Sequence, residues 1–230
     1  MSESLTAWVQ RYRLLILTAI TVLGAFLRLY QIGSLPPGDG YDAAQYGLDA
    51  LQILDGARPI FLAANFGREA LFSYLVVLVY TFTGPGALGI HLSSALIGIA
   101  TIPAVYWAAR ELLDGDEEVL HVWAPLLAAL VTAVSYWHLN YSRAGLRVIW
   151  VPLFAALITA ALWRGLRRES RLSLAAAGIL LGLSQYTYQA ARLLPLLILA
   201  GFLLTYLSRR SFNRRDLGEM VEIGVAPLLA

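Results

Sequence analysis

Long apolar runs, bounded by arginine, proline or glycine, set the plan of this chain. They lie near residues 14–32, 88–109, 119–139, 148–163, 172–189 and 192–207, and a further run begins at 219 and reaches 230. A helix crossing about 30 Å of hydrocarbon needs about 20 such residues. The pattern predicts an all-α fold: a polytopic membrane helix bundle with about six to seven transmembrane helices. No internal repeat or low-complexity linker divides residues 1–230, so the chain reads as one membrane domain. The stretch between the first two runs, 33–87, is long and polar, with two short helical patterns. One runs from Ala43 to Leu54. The other runs from Leu71 to Phe82, reaches only about 18 Å as a helix, and stops at Gly84-Pro85-Gly86. It reads as interfacial.

Composition agrees with the pattern. The 230 residues are 59% hydrophobic and 14% charged, against about 25% charged in soluble domains, and the mean hydropathy is +0.66. Absence of cysteine excludes disulfides and thiolate metal sites. The net charge of +2 is too small to point to nucleic acid. Arg11 and Arg13 precede the first run, but Arg28, Tyr30 and Gln31 follow it where a cleavage site would need small residues. The run is therefore read as a retained span.

Every basic residue is arginine, and their placement orients the chain. With 71–82 interfacial, arginines 11, 13, 110, 164, 167, 168, 171, 209, 210, 214 and 215 face the cytoplasm, and 28, 58, 68, 143, 147 and 192 face outward. A spanning 71–82 would reverse that bias. The positive-inside rule then gives a multi-pass protein of the cell (inner or plasma) membrane, with a cytoplasmic N-terminus and an external loop at 33–87.

The outer side collects the candidate chemistry. Leu35-Pro36-Pro37-Gly38-Asp39-Gly40-Tyr41-Asp42 breaks the first span, and Asp42, Tyr46 and Asp49 share one face of the helix that follows. Asp42 is either an N-cap, with Gln45 completing a capping box, or a carboxylate available as general base or metal ligand. Asn65-Phe66-Gly67-Arg68-Glu69 either marks the start of the interfacial helix or adds polar groups to the pocket. His138 through Arg147 brings Arg143 and Arg147 to the outer side, where they snorkel or clamp a phosphate. Gln185 to Arg192 adds Tyr186, Tyr188 and Arg192, as an aromatic belt or as a pocket wall. His91 and His121 read as helix-end residues, and no HExxH, glycine-rich phosphate loop or serine elbow occurs. A basic, aromatic-lined pocket at the membrane surface suits an anionic lipid headgroup.

In order and spacing, these segments resemble the membrane glycosyltransferases of the GT-C type, specifically glycosyltransferase family 39, the protein O-mannosyltransferase and aminoarabinose transferase group. The matching text includes Leu35-Pro-Pro-Gly, Tyr41-Asp-Ala-Ala, Asn65-Phe-Gly-Arg-Glu-Ala-Leu-Phe, Ser142-Arg-Ala-Gly-Leu-Arg and Tyr186-Thr-Tyr-Gln-Ala-Ala-Arg. The resemblance implies inverting transfer of a sugar from a polyprenyl-phosphate donor to an acceptor on the non-cytoplasmic side. Asp42 takes the place of the acidic residue that acts as base or helps bind a metal, and Arg143, Arg147 and Arg192 that of donor phosphate ligands. Asp39, Tyr46, Asp49, Asn65, Arg68, Glu69, His138, Tyr186 and Tyr188 line the substrate pocket. The resemblance leaves the need for a divalent metal open, with Asp42 and Glu69 as candidate ligands. Its partners are membrane lipid and the lipid-linked sugar.

Three departures stand beside it. The family pairs Asp with Glu where this chain has Asp42-Ala43, and often carries arginine where His91 stands. Its members are about twice as long, so the chain reads as an N-terminal portion whose partner is the remaining C-terminal part. The reading from a different class is a non-catalytic homologue that binds polyprenyl-phosphate lipid or scaffolds a membrane partner. A transporter fits less well, because the polar groups collect at one edge rather than at the midplane.

Overall fold

In the computed structural model, residues 3–35, 40–63, 67–113 and 118–212 are described. Helices dominate: α1 (Glu3–Leu29), α2 (Tyr41–Leu54), α3 (Leu71–Thr83), α4 (Ala87–Leu112), α5 (Glu118–Val134), α6 (Tyr136–Arg143), α7 (Trp150–Arg167), α8 (Arg171–Ser184) and α9 (Leu194–Phe212). The chain divides into two compact units, the first ending at Ala191 and the second beginning at Arg192. The second unit carries α9.

Among the described residues, four helices are long and apolar enough to cross a membrane: Ser4–Leu29, Ala87–Leu112, Arg147–Arg167 and Gln189–Leu207. A fifth candidate is α5 with α6, bent by 53° at their junction. Against the six to seven expected, the described residues hold four such helices, or five if the bent pair is one span. The run at 172–189 accounts for part of the difference, since α8 has 14 residues and extends only about 21 Å. The run at 219–230 lies outside the described residues.

Ser135 carries the break in the fifth candidate, in extended backbone. The carbonyls of Thr132 and Ala133, which an unbroken helix would use internally, accept hydrogen bonds from Arg28 at 3.1 and 3.0 Å. A helix end needs such partners.

α4 is central to the first unit, with 61% of its apolar window buried against 17% for α1. One core joins α2, α3, α4 and α7 through Tyr46, Phe72, Ile97 and Leu153. A second joins α1, α4 and α5 through Val9, Ile102 and Leu126. α4 begins beside Gly145, whose Cβ position faces Ile90, His91 and Ala43. It ends at buried Glu111, which accepts from Trp107 at 3.1 Å and from Arg164 on α7 at 3.0 Å. α7 therefore runs with α4 from one end of the bundle to the other, and α8 returns.

One element departs from the all-α reading. Phe61–Leu62 (β1) and Arg68–Glu69 (β2) form a short antiparallel pair, with Phe61 opposite Glu69 and Leu62 opposite Arg68. Gly67 enters it at φ 85°, and its Cβ position would fall on the Phe61 ring. Glycine is needed there on both counts.

Candidate functional site

The end of the bundle that carries α2 holds a pocket of about 190 Å³ lined by Asp42, Tyr46, Tyr141, Leu146, Val148 and Tyr188. These residues come from three connections widely spaced in sequence: α2, the segment from α6 to α7, and the segment after α8.

Asp42 does not cap its helix. The N-cap is Gly40, in extended backbone and without a side-chain bond, so α2 starts one residue before Asp42. Gln45 donates to Asp49 at 3.0 Å instead of closing a capping box. Asp42 is left exposed in the first turn, with no hydrogen bond or ion pair among the described residues.

Asp49 points into the protein. Its carboxylate accepts from Arg68 Nη2 at 3.0 and 2.8 Å, and both side chains are buried. Glu69 forms a buried ion pair with Arg147. Adjacent strand residues face opposite ways, so β2 ties α2 through Arg68 and the 3₁₀ turn Arg147–Ile149 through Glu69. Arg68, Glu69 and Asp49, expected as pocket residues, form its support rather than its lining.

Arg147 is held between two pocket tyrosines, with its guanidinium carbon 5.9 Å from the centre of the Tyr46 ring and 5.1 Å from that of Tyr188. Its Nε is buried with no hydrogen-bond partner among the described residues. Tyr46 meets Phe72 edge-on at 5.3 Å. Burial raises the Tyr46 phenol above its usual pKa, and the positive charge of Arg147 opposes the shift. The ring forms part of the pocket wall.

Arg143 is not brought to the pocket. It donates to the carbonyls of Leu27 at 2.7 Å, Arg28 at 3.0 Å, Tyr30 at 2.7 Å and Leu35 at 3.1 Å, closing the end of α1. A phosphate would have to compete with four carbonyl oxygens. His138 is likewise placed elsewhere, its Nδ1 accepting from Arg28 at 2.7 Å. Tyr186 is half-exposed and does not line the pocket. Arg192 belongs to the second unit. Asp39 and Asn65 lie outside the described residues.

Sequence reasoning missed Arg28 and Tyr141. Arg28 reads as a helix-end cation, yet it is fully buried. Tyr141 sits within a segment already singled out, and its signal was an aromatic ring among polar neighbours.

Among the described residues, Asp42 is the one carboxylate lining the pocket, and Glu69 is engaged by Arg147. No group of three or more His, Asp or Glu side chains able to hold a metal ion occurs among the described residues. No family model matches the chain, nor does any curated protein or solved structure.

Proposed function

We propose that the chain is a glycosyltransferase, or the catalytic portion of one, that takes a sugar from a polyprenyl-phosphate donor on the non-cytoplasmic side of a membrane. The observation that carries this reading is Asp42, an exposed carboxylate without a hydrogen-bond or ion-pair partner among the described residues, at a pocket walled by tyrosines. The topology read from the arginines supports it. The three connections it assigns to the outer side are those that supply Asp42, Tyr141 and Tyr188 to one pocket.

The chemistry asked of Asp42 is general-base catalysis. An acceptor O–H gives its proton to the carboxylate as the oxygen attacks the anomeric carbon from the face opposite the phosphate. The new C–O bond forms while the bond to the phosphate oxygen breaks, and polyprenyl phosphate leaves with the electron pair. Configuration inverts.

Purified protein given radiolabelled polyprenyl-phosphate sugars is expected to transfer label, and Asp42→Asn to lower the rate by about 10²–10⁴-fold. Equal transfer by both would remove Asp42 as the base. The second reading, a non-catalytic lipid-binding homologue, is favoured by Ala43, which provides no second carboxylate, and by the neutralisation of Arg147 by Glu69. Lipid binding without transfer by the wild type would establish it.

A further inference from the structure

We infer that the tyrosine pocket is a subsite for one uncharged sugar ring and discriminates against phosphate, so that the phosphate of a lipid-linked donor lies outside it. The inference rests on the glycosyl-transfer reading and specifies what its pocket holds.

Charge balance is the first support. Three arginines near the pocket among the described residues are already engaged. Arg147 is paired with Glu69 and Arg68 with Asp49, all four side chains being buried. Arg143 is spread over four carbonyls of α1 and the turn after it. Among the described residues, Asp42 is the one charged residue in the pocket lining. The N-terminus of α2 would by itself favour an anion, but Asp42 sits in its first turn and already supplies the negative charge. A phosphate entering here meets a carboxylate, and no guanidinium lines the pocket among the described residues to offset it.

Shape and surface are the second support. Tyr141 and Tyr188 bring aromatic rings and hydroxyls, buried Tyr46 closes the wall behind them, and Leu146 and Val148 add an apolar patch. Arg147 lies against Tyr46 and Tyr188, fixing those rings from the protein side. Flat apolar faces beside hydroxyl groups match a sugar ring, which presents C–H bonds on its faces and O–H groups at its rim. The pocket's 190 Å³ is below the range of about 300–1,000 Å³ usual for drug-sized ligands. A single ring suits it better than an oligosaccharide.

The test uses the full chain in lipid nanodiscs, with saturation-transfer NMR against a panel of neutral methyl glycosides, the corresponding sugar 1-phosphates and inorganic phosphate. At least one glycoside is expected to bind, its 1-phosphate about tenfold more weakly, and inorganic phosphate not to displace it. Tyr188→Ala is expected to weaken the glycoside about tenfold, while Tyr188→Phe largely retains it. Asp42→Asn is expected to narrow the gap between glycoside and 1-phosphate, a change that loss of folding would not produce. Tighter binding of the 1-phosphate, or displacement by inorganic phosphate that Arg147→Gln abolishes, would make the pocket an anion site and overturn the inference. Sugar transfer without glycoside binding would also overturn it while leaving the glycosyl-transfer reading intact. Glycoside binding without transfer would keep the pocket assignment and remove the catalytic role. Absence of both would end both.

Discussion

Glu69→Ala is expected to destabilise the first unit by about 3–5 kcal/mol, the usual consequence of stranding one member of a buried ion pair. Arg147 is 7% exposed and Glu69 4%, so water cannot replace the lost carboxylate. The guanidinium would remain between Tyr46 and Tyr188 with its Nε already unpartnered among the described residues. Thermal unfolding in detergent, followed by loss of the monodisperse peak on size exclusion, provides the measurement. Glu69→Gln should fall between wild type and Glu69→Ala, because it keeps an acceptor oxygen but no charge. Adding Arg147→Met to Glu69→Ala should recover part of the loss, since no stranded cation then remains. A loss below about 1 kcal/mol in Glu69→Ala would mean the pair is solvated like a surface contact.

Arg28→Met should be comparably damaging for a different reason. Arg28 is fully buried and has no carboxylate partner among the described residues. It donates to the carbonyls of Gly24 at 2.8 Å, Ala133 at 3.0 Å and Thr132 at 3.1 Å, to Ser142 Oγ at 3.3 Å and to His138 Nδ1 at 2.7 Å. Its substitution leaves the carbonyls at the end of α5 without donor partners. Each buried unsatisfied group costs about 1–3 kcal/mol, so a loss of about 2–6 kcal/mol is expected for the Thr132 and Ala133 carbonyls together. Arg28→Lys should retain only part of the stability, because one ammonium cannot span five acceptors set around a planar fork. The same unfolding assay reads the effect. Wild-type stability in Arg28→Met would show that α5 ends at Ser135 without help from the cation.

The two arginines form a crossed arrangement. Arg28, in the last turn of α1, satisfies the end of α5. Arg143, in the last turn of α6, satisfies the end of α1. Neither contact is legible from sequence, because hydropathy reports only that each arginine sits at the edge of an apolar run. The partners lie more than 100 residues away. Helix identity was far more legible. The apolar runs gave α1, α4, α7 and α9, and the boundaries of α2 and α3 fell within two residues of those observed. α8 misled because its apolar run continues past Ser184 into Tyr186 and Tyr188, and hydropathy cannot mark where the helix ends.

At the site, sequence spacing singled out the segments that meet but not the partition among their side chains. Arg68 and Glu69 are adjacent and read alike. A two-residue strand sends one to Asp49 and the other to Arg147. That alternation is a strand property, and no run of β-branched residues announces so short a strand. Asp42 and Asp49 also read alike on one helix face, yet the first is exposed and the second buried. Contact with β2 makes the difference.

Everything proposed for Asp42 requires its pocket to open on the side of the membrane opposite the arginine-rich α7–α8 turn. The chain has no cysteine, so single cysteines report sidedness without background. Tyr41→Cys, at a position 95% exposed beside Asp42, is expected to react with a membrane-impermeant maleimide in intact cells. Arg168→Cys, at an exposed position near Glu111, is expected to react only after lysis. Labelling of Arg168→Cys but not Tyr41→Cys in intact cells, or of both from the same side, would contradict the outward-facing pocket.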